Sequence, residues 1–326
     1  MDQQKKGSLA ISVFITAFVL SNWMGIAYSQ DKYPIKAIDI IITVAPGSGI
    51  DLAGRLIGSY CNKKWHVPVN AINKPGGNNV PGCLDVYKAS PDGYTLLCDS
   101  LQTSSAMFVV RNLPFQIMDR SFFGAVAGAP LMLSVPSSSP YKSLDDLAEV
   151  IKRDPGNFRW ASLGGASPPD YIAHQFFKAK GIDITKTKPV LTKGGAEATT
   201  LTAGGHVMLS GNTTAGTLVA FKGGMVRPLG VSGKSRHPDY PNVPTFEELG
   251  VPAIGVMQWY GISGPPKVSS HIGEIWNKVF QEMVKDQEIV KSMHNIGLIP
   301  FFLSANETKM VVLKDLEEMK KLYSQK

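Results

Sequence analysis

Residues 38–51, IDIIITVAPGSGID, decide the fold. The run 38–44 is rich in isoleucine and carries one charge, Asp39, near its start. Such a run suits a strand buried on both faces, as in a parallel sheet. The small-residue loop 45–50 follows at once. Leu52, Ala53, Leu56, Ile57 and Tyr60 then recur at helical spacing, with Asp51 placed to cap the helix. Strand, glycine turn and amphipathic helix make one unit of an open α/β sheet.

The unit recurs along the chain. A short strand at 67–72, the loop 73–79 (NKPGGNN), a helix through Leu84 and Tyr87 and a strand at 94–98 come next. A second series starts at 131–135 (LMLSV) and continues with a helix opened by the capping box Ser143-Leu-Asp-Asp146. A strand at 158–163 runs into the loop 164–167 and a helix bearing Tyr171, Ile172, Phe176 and Phe177. Strands are expected at 190–192, 207–210 and 226–231, with a helix at 196–202. Beyond about residue 241 the chain reads as mostly helical, with amphipathic helices at 275–293 and 309–323 expected to pack back on the first lobe. This alternation predicts α/β sheets with right-handed crossovers.

The 326 residues, 44% apolar and 18% charged, suffice for two ordinary domains and exclude a disordered or fibrous chain. Residues 1–29 read as a signal peptide: Lys5 and Lys6, a short apolar run at 9–20, then Ala27 and Ser29 at cleavage spacing. An uncleaved anchor helix is the competing reading. Export to the periplasm follows, and with Cys61 as the first cysteine a lipid anchor does not. Cys61, Cys83 and Cys98 allow one disulfide plus a thiol, or three buried thiols. The net charge of +7, reduced to +6 once Asp2, Lys5 and Lys6 are removed, favours anionic ligands. No basic run interleaved with aromatics suggests nucleic acid.

Three loops share one build, small residues between an apolar strand and a helix start: 45–51, 73–79 and 164–167. Free N–H groups at a helix start, reached through glycines, hold an anion without a cationic side chain. The candidate ligand-binding residues are therefore Ala45, Gly47, Ser48, Gly49 and Asp51 in the first loop and Asn78 in the second. Ser162, Gly165 and Ser167 belong to the third, and Asn212 follows a later strand. Leu52 stands where a dinucleotide fingerprint needs its third glycine, and no Walker loop is present. Gly165-Ala-Ser167-Pro-Pro169 breaks GxSxG, and the histidines lack metal-ligand spacing. No catalytic residue, metal site or cofactor is expected. An extracytoplasmic hydrolase and a sensory or interaction-only binding protein without transport are the alternatives from other classes.

At these loops the sequence resembles the Bug family, the substrate-binding proteins of tripartite tricarboxylate transporters. The resemblance rests on Tyr33-Pro34, APGSGID at 45–51, NKPGGNN at 73–79 and PDGYTLL at 91–97. SPYKSLDDL at 139–147, the glycine segments near Lys193 and Gly205, and PNVPTFEELG at 241–250 extend it. It implies a two-lobed periplasmic binding protein of type II, two open mostly parallel sheets joined by two crossing strands. Lobe 1 is expected from 30–130 plus 235–326, and lobe 2 from 131–234. It also implies a small carboxylate ligand, with membrane transporter subunits or a sensor as partners; the chain is expected to be a monomer. Ile50, the Gly164–Asp170 loop and Met208 depart from the usual family pattern and leave the ligand open.

Overall fold

The computed structural model describes residues 32–105, 112–165, 167–252 and 257–323. The leader assigned to 1–29 lies outside them. The described residues from Lys36 onward form one compact unit. It opens with β1 (Ile38–Ile42), α1 (Gly49–Trp65), β2 (Val69–Asn73), α2 (Val80–Tyr87), β3 (Thr95–Asp99) and the short α3 (Leu101–Ser105). Next come β4 (Ser121–Pro136), α4 (Leu144–Arg153), β5 (Arg159–Ser162), α5 (Pro168–Ala179) and β6 (Lys188–Leu191). Then follow α6 (Gly195–Ala203), β7 (Leu209–Thr213), α7 (Thr214–Lys222), β8 (Val226–Val231) and β9 (Met257–Gly264). The chain closes with α8 (Ser270–Met283), α9 (Gln287–Asn295), β10 (Ile299–Leu303) and α10 (Ala305–Tyr323).

The strands form two sheets that share β4. In the first, β2, β1 and β3 are parallel, and β9 pairs antiparallel with both β3 and β4. In the second, β6, β5 and β7 are parallel, and β4 pairs antiparallel with β7 and β8. Residues 121–130 of β4 pair with β9, and residues 131–136 pair with β7 and β8. One 16-residue strand thus crosses between the sheets, while the segment from β8 to β9 returns the chain. In each sheet parallel pairing is confined to three strands, and the crossing strands pair antiparallel.

Sequence expectations miss four features here. The start of β4 was not expected, because 121–130 is rich in Gly and Ala. Gly124 sits at φ +131 beside a register shift, where a Cβ would come within 2.7 Å of the Leu303 carbonyl. Strands β9 and β10 fall in a third of the chain read as mostly helical. The helix expected at 275–293 is two, broken at Asp286, whose carboxylate accepts the N–H groups of Glu288 and Ile289. Finally, α10 is not confined to the first sheet. Val312, Leu316 and Met319 join one buried cluster with Phe158, Trp160 and Tyr171, and Tyr323 lies against His174 with ring centroids 5.5 Å apart.

Two capping boxes form, the one at Ser143 and a second at the start of α10. Ser143 accepts from the Asp146 N–H at 3.0 Å, and Ser304 from that of Glu307 at 3.3 Å. A buried ion pair stiffens the end of β3: Arg120 Nε donates to Asp99 at 2.7 Å, and its remaining nitrogens bond the Ile117 carbonyl and Ser104. The three cysteines are free and buried, and loss of solvation raises all three thiol pKa values. No helix among the described residues is long and apolar enough to cross a membrane.

Candidate functional site

The C-terminal ends of β1, β2 and β3 face those of β5 and β6 across a cavity of about 670 Å³. Carboxyl ends of parallel strands are where open α/β sheets bind ligands. Thr43, Gly76, Gly77, Asn78, Asn79 and Gln102 line one side, and residues 162–165 with Pro189, Leu191, Thr192 and Lys193 line the other.

The loop after β2 has the most unusual backbone. Gly76, Gly77, Asn78 and Asn79 all have positive φ, at +102, +54, +51 and +69. Asparagine tolerates this region better than most residues, yet two in succession carry strain of the kind found at ligand clamps. Consecutive N–H groups in such a run form an anion-binding concavity. Among the described residues, the N–H groups of Gly77 and Asn78 have no protein partner. Behind them Asn79 donates to the Gln102 carbonyl at 3.1 Å, which holds the loop to α3.

Thr43, just past β1, supplies a second sign of a ligand. Its side chain is 1% exposed, and its hydroxyl is buried without a hydrogen-bond partner. An orphaned buried hydroxyl costs about 1–3 kcal/mol.

The other two glycine loops are already filled by the chain's own carboxylates. Gly47 donates its N–H to Asp51 at 2.9 Å, and Asp51 also accepts from Arg55 at 3.0 Å and Asn73 at 2.8 Å. Asp51 is therefore the third residue of α1, reaching back. The cap position is held by Ser48, whose hydroxyl donates to the Ala45 carbonyl at 3.0 Å. In the second sheet the N–H groups of Leu163 and Gly165 donate to Asp170 at 3.0 and 2.7 Å. Burial raises the Asp170 pKa, while these two bonds and the hydroxyls of Ser167 and Ser162 oppose the shift.

Of the ten candidates, Asn78, Ser162 and Gly165 meet at the cavity. Ser167 caps α5, accepting from the Asp170 N–H at 3.2 Å. Asn212 is 4% exposed and spent locally, donating to the Gly195 carbonyl and Thr199 and accepting the Thr213 N–H. Ala45 donates to the Lys193 carbonyl at 3.5 Å, so the first loop touches the β6–α6 turn. Gly49 is packed so closely that a Cβ would lie 2.5 Å from the Tyr260 hydroxyl. Gly47, Ser48 and Asp51 are not among the residues that line the cavity. Sequence reading missed Thr43, hidden in an apolar run, and Gln102, in a helix of one turn.

Lys74 is engaged elsewhere, in an exposed ion pair with Asp85. Lys193 is the single charged side chain lining the cavity among the described residues.

Two α/β sheets exchanging strands around such a cavity define a two-lobed solute-binding protein. Residues 54–326 match the family described as tripartite tricarboxylate transporter family receptor (TctC), and the chain belongs to it. The Protein BugT of Bordetella pertussis is 24% identical over 306 residues, covering 93% of each chain. MatC from Rhodopseudomonas palustris, solved with bound malate, superposes with a TM-score of 0.82 at 20% identity, over 89% of this chain and all of that one. Rpa4515 of R. palustris, solved with adipate, gives 0.83 at 21% identity, over 90% and 99%. The family is one of binding proteins, as the Bug motifs imply.

Proposed function

We propose that this protein is an extracytoplasmic receptor that captures a small organic acid and delivers it to the membrane subunits of a tripartite tricarboxylate-type transporter, without catalysis. One observation carries the reading: Thr43, whose hydroxyl is buried and unpartnered, and the left-handed run Gly76–Asn79 line the same cavity. Together they offer convergent donors for one carboxylate. Each bond to a charged acceptor contributes about 1.5–3 kcal/mol, so three such bonds support micromolar affinity, about −8 kcal/mol. Malate in MatC and adipate in Rpa4515 are acids of this class.

The receptor closes by bringing lobe 2, residues 131–234, onto lobe 1, with β4 and the β8–β9 segment as the hinge. Residues 1–29 direct export to the periplasm and are removed after Ser29. Calorimetry with a panel of small carboxylates tests the reading. Saturable one-to-one binding that weakens in Thr43→Val supports it, and absence of binding across the panel overturns it.

A further inference from the structure

Charge at the cavity is sparse, and the unpartnered backbone N–H groups of Gly77 and Asn78 lie on the same side as Thr43. The glycine loops that a second carboxylate would need are occupied from behind, Gly47 by Asp51 and Gly165 by Asp170. Lys74 is drawn away by Asp85. That leaves Lys193 as the lone cation at the cavity among the described residues, and its side chain is exposed at the turn before α6. The carboxamide of Asn78 is neutral and suits a hydroxyl or amide group better than a second charge. The apolar part of the opposing wall is Leu163, Pro189 and Leu191, beside Ser162, Thr192 and Lys193, and Leu191 is 74% exposed on the edge strand β6.

We infer that the ligand is a monocarboxylate, held at Thr43 and the Gly76–Asn79 loop, with an uncharged body lying against Leu163, Pro189 and Leu191. This rests on the anion-receptor reading and narrows it. A carboxylate taken into a closed cleft without a cation or free N–H group loses its hydration for nothing in return. One such group meets the donors at Thr43 and the Gly76–Asn79 loop, whereas a second would meet only the solvent-exposed ammonium of Lys193.

The test compares acids matched in length, butyrate against succinate and hexanoate against adipate, by calorimetry at pH 7.5 on the mature protein. At least one monocarboxylate should bind ten times or more tightly than its dicarboxylate partner. Leu191→Arg adds a cation at an exposed edge position of the apolar wall, so folding should be unaffected. It should narrow or reverse the preference by raising affinity for the diacid at least tenfold. Equal or tighter binding of succinate or adipate by the unaltered protein overturns the inference and leaves the receptor reading intact. Binding of none of the four acids overturns both.

Discussion

The carboxylate of Asp170 accepts the N–H of Gly165 at 2.7 Å, where the sequence had suggested a ligand. Asp51 stands in the same relation to Gly47 in the first lobe. The chain has shaped two anion-binding loops and filled both with its own buried acids. Such loops become rigid walls, and the open donors shift to the strained loop between β2 and α2.

Gly164 should be intolerant of any side chain. It sits at φ +106, and a Cβ there would overlap the Asn78 side chain across the cavity. Gly164→Ala is expected to weaken ligand binding tenfold or more by displacing Asn78, with only a modest loss of stability. Lys74→Ala provides the contrast, since its exposed pair with Asp85 contributes under about 1 kcal/mol and does not face the ligand. Calorimetry on both variants checks the pair.

The ion pair between Arg120 and Asp99 should dominate the stability of the first lobe. Both side chains are nearly inaccessible, at 8% and 1%. Removing one partner strands a buried charge and costs about 3–5 kcal/mol. Arg120→Ala should therefore lower Tm by about 10 °C, measurable by calorimetric scanning.

Asp315, on α10, gives the protein a pH dependence. Burial, reinforced by Glu318, pushes its carboxyl up to about 7. The folded chain then holds the proton more tightly than the unfolded chain does. Its contribution is complete below the ordinary carboxylate pKa and is lost as pH rises to about 7. Asp315→Asn should flatten the fall in Tm between pH 5 and pH 8 by about 2–4 °C. An unchanged pH profile in the variant would exclude Asp315 as the cause.

The sequence discloses what periodicity governs. The buried run at 38–42, the helical spacing of Ala53 and Ile57, and the capping box at Ser143 all act locally. It conceals what tertiary approach governs. Residues 121–130 form a strand because β9 and β10 flank them closely, and a Cβ on Gly261 would overlap the Gly124 carbonyl. Glycine and alanine are the residues that fit there, and they lack strand propensity. The break before α9 was readable, since Asp286 followed by Gln287 and Glu288 is a helix start. At the site, glycine loops announce themselves, but whether an N–H is open or already bonded depends on side chains such as Asp170.

The most direct measurement concerns Thr43. Thr43→Val keeps the shape and removes the buried hydroxyl that has no partner in the protein. If that hydroxyl exists to meet a ligand carboxylate, the variant should bind a small acid about ten- to a hundredfold more weakly. The ligand-free variant should also be more stable by about 1 kcal/mol, because an unsatisfied polar group has gone. Calorimetry and thermal unfolding on the same two proteins read both quantities. Weaker binding with raised ligand-free stability is the predicted result. Unchanged affinity for an acid that the unaltered protein binds would contradict the placement of the carboxylate at Thr43.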